Sequence, residues 1–430
     1  MTVVAITVGG KGSRVSHLTD GKSKSEIKIL KTKSIIELQL DNLVKLNKNI
    51  FILSNTKNLT LDKLIKKKYA NSRIKIVHEK QPLGTAGCLK VLEKEKSKVF
   101  LIVSGDLVFN INLKKLLKFH SEKKSDCTLV VHPNNHPHDS DRVDVDNKCK
   151  VKKFYKKNTN SKNISNLCLS GIFVINKTVL KKIHINKFQD FSNDVLTKII
   201  DIKKKVFAYN TREYVKDAGT PERIIQVKQE INSLKYKIGN IDKKIPAIFL
   251  DKDGVINKDK YNFKYQNIKL ILPNIFSAIK KINKSGYLCV LVTNQPAIAK
   301  GFVKLEKVEK DLRYLEGILA KNHCYLDRIY FCPCHPDKGF SGEVKKFKRI
   351  CSWRKPNNGM LLQANKDLNI DFKKSYMIGD TINDYMAAKK TKVKFIAVGN
   401  KIKDFKITKK KDLNDAVSFI FKNQFSVTKK

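Results

Sequence analysis

Ile248 to Asn257 reads Ile-Phe-Leu-Asp-Lys-Asp-Gly-Val-Ile-Asn, an apolar run that stops in two aspartates and a glycine. If the run is a strand, Asp251 and Asp253 share one face and Lys252 takes the other. Such a strand ends at the carboxyl edge of a sheet, where open α/β sheets place their ligands. Two carboxylates at close range repel. A hard, oxygen-seeking cation such as Mg²⁺ relieves that repulsion. One carboxylate can then attack a phosphoryl group while the other handles the proton. A lone Asp-x-Asp is also an ordinary strand-end turn, so the reading depends on partners further along the chain.

The partners are there. Val292-Thr293-Asn294-Gln295, then Arg354-Lys355-Pro356, then Ile378-Gly379-Asp380-Thr381 with Asp384 follow in order. With Asp251 to Gly254 they resemble the four motifs of the haloacid-dehalogenase-type phosphatases. The resemblance implies Asp251 as nucleophile, forming an aspartyl-phosphate, and Asp253 as general acid and then base. It implies Thr293, Asn294 and Gln295 around the phosphoryl oxygens, Lys355 neutralising the phosphate and Arg354 adding a planar fork. Asp380 would complete a Mg²⁺ shell with Asp251 and the Asp253 carbonyl, and Asp384 would brace it. Acids are also favoured at helix N-termini, which accounts for Asp384 almost as well.

Within that superfamily, Asp-Lys-Asp-Gly-Val-Ile-Asn, Thr-Asn-Gln and Arg-Lys-Pro-x-x-Gly-Met are similar to the heptose-bisphosphate and histidinol-phosphate phosphatases. These lack a large cap and carry a zinc loop of the type Cys-x-His…Cys-x-Cys. Here Cys332, Cys334 and Cys351 fall at three of those positions, and Trp353 stands at the fourth. Thiolates suit Zn²⁺, and His335 is the candidate fourth ligand. A loop without metal is the alternative.

The first half has its own organising turn. Val3 to Val8 runs straight into Gly9-Gly10-Lys11-Gly12-Ser13-Arg14. Glycines there let backbone N–H groups approach a phosphate. The turn lacks the Gly-Lys-Ser/Thr ending of a P-loop and the third glycine of a dinucleotide fingerprint. It resembles the opening of the sugar-phosphate nucleotidyltransferases, as do Pro82 to Gly87, Val103-Ser104-Gly105-Asp106, Phe154-Tyr155-Lys156-Lys157 and Asp217-Ala218-Gly219-Thr220-Pro221. The resemblance spans about Val3 to Val227. It implies a loop of Gly9, Gly10, Gly12 and Ser13 around a nucleoside triphosphate, with Arg14 and Lys24 neutralising its charge. Gly84, Thr85 and Ala86 would read base and sugar, Asp106 and Asp217 would share Mg²⁺, and Lys157 would clamp the sugar phosphate. Ser23, Ser25, Lys156 and Asn158 depart from the family's pattern, which leaves open a first half that binds without transferring.

At 430 residues the chain has room for two domains. The expected fold class is α/β, with two Rossmann-like domains at 1–236 and 247–430 joined by a linker at 237–246. The N-terminal domain would be a nucleotidyltransferase fold and the C-terminal one a capless haloacid-dehalogenase-type fold. Alternating strand and helix patterns imply mostly parallel sheets. The net charge of +48 is lysine spread over the whole chain, so it reads as a solvated surface that attracts phosphorylated substrates. No nucleic-acid motif and no bilayer-spanning run is present, and the unclustered cysteines read as reduced. A cytoplasmic enzyme is expected. The heptose branch is favoured over the histidinol branch because its product, a sugar 1-phosphate, is what the first half would consume. The expected partners are therefore sugar phosphates and a nucleoside triphosphate, and the expected product is a nucleotide-activated heptose for surface polysaccharide.

Overall fold

The computed structural model describes residues 2–9, 23–54, 59–159, 164–258, 271–404 and 406–427. Gly10, Gly12, Ser13 and Arg14 lie outside these residues. Two compact units divide at Ile241/Asp242, and the second also takes in Pro133–His138 and 164–166.

In the first unit, strands β1 (Thr2–Val8), β2 (Ile50–Ser54), β3 (Ile74–His78) and β4 (Val99–Ser104) are joined by β6 (Cys127–His132), β9 (Cys168–Asn176) and β10 (Val206–Asn210). Their order in the sheet is β10-β6-β9-β4-β1-β2-β3. β7 (Arg142–Val145) and β8 (Val151–Tyr155) hang from β9, and β5 (Leu107–Asn110) pairs with β11 (Tyr214–Asp217) in a separate ribbon. Alternate residues go to different cores. Val3, Ala5, Phe100 and Ile102 pack on one face of the sheet, and Val4, Ile6, Leu101 and Val103 on the other. Burial on both faces is why these strands read as unbroken apolar runs. The sheet is mixed, however, because β9 runs antiparallel to both β4 and β6.

Two devices carry Asp106 and Asp217 to the same place. β1 and β4 are parallel with Thr7 opposite Ser104, so Gly9 and Asp106 leave the sheet at one edge. A side chain at Gly105 would put its Cβ 2.8 Å from the Thr7 carbonyl oxygen, so only glycine lets this turn close. The ribbon then sets Asp217 opposite Leu107, and Ala218 N–H donates to the Asp106 carbonyl at 2.8 Å.

The second unit is a parallel sheet, β14-β13-β12-β15-β16-β17, comprising Arg328–Cys332, Leu288–Asn294, Ala247–Leu250, Tyr376–Gly379, Lys394–Val398 and Lys409–Lys410. The central strand β12 has Leu250 opposite both Leu291 and Ile378. Residues just beyond Leu250, Val292 and Gly379 therefore share one carboxyl edge. The strand stops at Leu250, so the two-residue alternation does not extend through Lys252. Lys252 instead folds inward, nearly buried, with Nζ 2.5 Å from Asp253 Oδ1. None of the described helices is long and apolar enough to cross a membrane.

Candidate active sites

In the second unit, Asp251 leaves β12 and is held at once. Its Oδ1 accepts from its neighbour's backbone, Lys252 N–H, at 2.7 Å and lies 2.8 Å from Lys355 Nζ. Both contacts fall on Oδ1. Lys355 is buried, and its ammonium also donates to Asp384 Oδ1 at 2.6 Å and to the Val292 carbonyl at 3.0 Å. Three acceptors around one ammonium fix its position. Burial pushes the Asp251 carboxyl up, Lys355 pulls it back, and the nearby carboxylates of Asp384 and Asp253 add to the push.

Asp384 serves two structures at once. It caps the helix Ile382–Lys390, accepting from Thr381 N–H at 3.1 Å and Thr381 Oγ1 at 2.6 Å, and it anchors Lys355. The helix-start reading of this residue therefore holds, and the same carboxylate also braces Lys355. Gly379 makes room for it, since a Cβ there would lie 2.4 Å from Asp384 Cβ.

The carboxylates of Asp251, Asp380 and Asp384 have ligand atoms within 4.8 Å of one another. An all-oxygen set of this kind fits a hard divalent cation. The loop is shaped to it: Gly254 has φ +84°, and a Cβ there would fall 1.9 Å from Asp380 Oδ2. Lys401 Nζ also reaches Asp380 Oδ2, at 2.7 Å. Asp253, expected to serve the metal shell through its carbonyl, keeps its side chain outside this group of carboxylates. Lys252 and Asn257 hold its Oδ1, the latter at 2.8 Å, and Gln295 donates to its Oδ2 at 3.3 Å. That clamp suits a proton-handling group kept in one orientation. Gln295 is itself steadied by Thr293 Oγ1 at 3.0 Å.

Asn294 has a role that its place in the motif did not suggest. Its amide bonds both ways with the Lys355 backbone, accepting N–H at 3.1 Å and donating to the carbonyl at 3.0 Å. It therefore helps to place Lys355. Arg354 donates to the Cys334 carbonyl at 3.2 Å, which ties the phosphate-side motif to the cysteine loop.

In that loop the Sγ atoms of Cys332, Cys334 and Cys351 also lie within 4.8 Å of one another. Burial works to raise the Cys351 thiol, but hydrogen bonds from Cys334, Cys332 and the Trp353 and Arg354 N–H groups outweigh it and leave it lower than usual. The trio fills three of the four positions a structural zinc uses. Among the described residues His335 does not join it; its Nδ1 accepts from Asp337 N–H at 3.2 Å.

The first unit holds a cavity of about 330 Å³ lined by Gly9, Lys24, Gly84, Thr85, Asp106 and, beyond the expected residues, Phe188 and Asp190. Asp106 accepts from Ser104 Oγ at 2.9 Å. Burial pushes its carboxyl up, Asp217 adds to the push, and Ser104 and Lys24 oppose it. Asp217 and Lys24 are thus near enough to Asp106 for their charges to act on it. Asp217 is steadied from behind, its Oδ1 contacting Arg223 at 2.8 Å and Gly219 N–H at 3.1 Å. Ala86 is fully buried and donates to the Gln189 carbonyl at 2.9 Å, so it holds the cavity wall instead of lining it. Lys157 is exposed just past β8 and is not among the lining residues.

The sequence comparisons meet this geometry unit by unit. The nucleotidyl transferase family model matches residues 3–233, and the haloacid-dehalogenase (HAD) hydrolase-like model matches 352–419. The D-glycero-β-D-manno-heptose-1,7-bisphosphate 7-phosphatase of Yersinia pestis is 43% identical over 145 residues, 34% of this chain and 74% of that protein. The protein of the same name from Escherichia coli K12 is 41% identical over 147 residues, with the same coverage of 34% and 74%. Among solved structures, HddC from Yersinia pseudotuberculosis aligns at TM-score 0.47 and 23% identity, over 54% of this chain and 100% of that one. The chain belongs to the nucleotidyl transferase family through its first half, fused to a second half that belongs with the HAD-type D-glycero-D-manno-heptose-1,7-bisphosphate 7-phosphatases.

Proposed function

We propose that this chain performs two consecutive reactions on one sugar. The second unit removes the 7-phosphate from a heptose 1,7-bisphosphate. The first unit then joins the remaining 1-phosphate to a nucleotidyl group drawn from a nucleoside triphosphate, releasing pyrophosphate. The observation that carries the proposal is Lys355, buried between Asp251 and Asp384 at the sheet edge.

In the phosphatase, Asp251 Oδ2 attacks the phosphorus and the sugar alkoxide leaves, taking a proton from Asp253. Lys355 neutralises charge that grows on the phosphoryl oxygens. Asp253 then takes a proton from water as the aspartyl-phosphate is hydrolysed. Mg²⁺ held by Asp251, Asp380 and Asp384 would supply further charge neutralisation. Lys300 and Arg354 are the cations proposed to hold the phosphate that stays. In the transferase, the sugar 1-phosphate oxygen attacks the α-phosphorus directly, with no covalent enzyme intermediate. Positioning and charge neutralisation supply the rate. Lys24 and Arg14 would serve the triphosphate and Lys157 the sugar phosphate. Asp106 and Asp217 fit Mg²⁺ as paired hard ligands.

The order follows from charge. A transferase pocket fitted to a neutral sugar end would have to bury the far phosphate unpaired, which is costly. In a time course with bisphosphate and a nucleoside triphosphate, inorganic phosphate should appear before any nucleotide sugar. Equal rates of nucleotide-sugar formation from the bisphosphate and the 1-phosphate would overturn the order.

Zinc is proposed at Cys332, Cys334 and Cys351, as a structural ion. Elemental analysis of protein purified without chelator should give about one zinc per chain. A content far below that would establish a metal-free loop.

A further inference from the structure

The segment Lys187–Phe191 forms the second wall of the cavity in the first unit, and no sequence motif marks it. Its backbone is tied to the loop that begins at Leu83. Gln189 N–H donates to the Leu83 carbonyl at 2.9 Å, and Ala86 N–H returns a bond to the Gln189 carbonyl at 2.9 Å. Thr85 Oγ1 donates to Asp190 Oδ2 and accepts from Phe191 N–H, both at 2.8 Å. The approach is so close that a Cβ on Gly84 would lie 2.5 Å from the Gln189 carbonyl oxygen, and one on Gly87 2.5 Å from that of Lys187. Two glycines and four hydrogen bonds thus fix this segment.

Phe188 rides on it. Its flanking residue Gln189 is buried, yet Phe188 is 67% exposed while lining the cavity beside Pro82 and Gly84. A single exposed aromatic is unremarkable on a surface. One held by a fixed backbone on a cavity that Gly9, Lys24 and Asp106 also line is placed to meet a ligand. The phosphate-side groups need no aromatic partner. A ring does, because an aromatic face stacks on a nucleobase and also packs on the C–H face of a pyranose.

We propose that Phe188 is a specificity-determining residue of the transfer reaction, stacking on a ring face of one of its two substrates. The inference rests on reading this cavity as the nucleotidyl-transfer site. The test compares wild type, F188A and F188Y in the full chain with Mg²⁺, by steady-state kinetics and by calorimetric binding of nucleoside triphosphates, heptose 1-phosphate and pyrophosphate. F188A should raise KM and Kd for one ring-bearing substrate by about 10-fold, a typical cost of losing one stacking partner. Its kcat should stay within about twofold, pyrophosphate binding should not change, and F188Y should restore binding. Which substrate responds identifies the ring, nucleobase or sugar. If F188A binds both substrates as wild type does, or loses kcat with KM unchanged, Phe188 is not a ring platform. If wild type binds neither ring-bearing substrate, the cavity reading fails and the inference with it. An active wild type with an indifferent F188A overturns the inference alone.

Discussion

Asp251→Asn should lower phosphate release from heptose bisphosphate by about 10⁴-fold or more, while nucleotidyl transfer from added heptose 1-phosphate stays within about twofold. The amide cannot form the aspartyl-phosphate, so the loss falls on kcat. The variant should still fold. Asn at this position can keep the bond from Lys252 N–H, and Lys355 keeps Asp384 and the Val292 carbonyl. Lys355→Met is the contrasting case. It strands the buried carboxylates of Asp251 and Asp384 together, and breaking a buried pair from one side costs roughly 3–5 kcal/mol. Thermal unfolding should separate the two: Asp251→Asn near wild type, Lys355→Met well below it. Loss of both activities in folded Asp251→Asn would rule out two independent sites.

The site residues differ in how far the sequence revealed them. Asp251 and Asp380 each follow an apolar strand and Asp384 opens a helix, and parallel strands deliver such residues to a common edge, which Lys355 reaches from the loop before the helix Gly359–Leu368. Their convergence is therefore readable from pattern. Lys252 was misread because alternation was carried past the end of β12 at Leu250, where the chain turns and the lysine comes back to Asp253. The engagement of the Asn294 amide with the backbone of Lys355 has no signal in the motif, because the two residues are distant in sequence. The antiparallel course of β9 and the β5–β11 ribbon were not anticipated either. Strands of four residues leave little periodicity to read, yet that ribbon is what brings Asp217 to Asp106. The wall at Lys187–Phe191 had no signal of its own. Its fit depends on glycines at 84 and 87, a hundred residues earlier, and only packing reveals why those two positions must lack a side chain.

Asp106→Asn is expected to give the reverse of Asp251→Asn: transfer down by about 10²–10³-fold and phosphatase turnover unchanged. The substitution is nearly isosteric, and Ser104 Oγ can still donate to the remaining carbonyl oxygen. What it removes is charge. In the wild type, burial and the nearby Asp217 both push the Asp106 carboxyl up. Lys24 and Ser104 offset only part of that push. The amide carries no charge to desolvate or to repel Asp217, so the variant should unfold no earlier than wild type. Activity and stability should thus move apart, as expected where a site keeps like charges together for its chemistry. A second measurement makes the assignment specific. Mn²⁺ binding, read by electron paramagnetic resonance in the presence of a nucleoside triphosphate, should weaken in Asp106→Asn and in Asp217→Asn alike. If either variant binds Mn²⁺ as wild type does, or if Asp106→Asn still releases pyrophosphate at the wild-type rate, the metal-binding pair has been misassigned and the triphosphate's charge must be met by other groups.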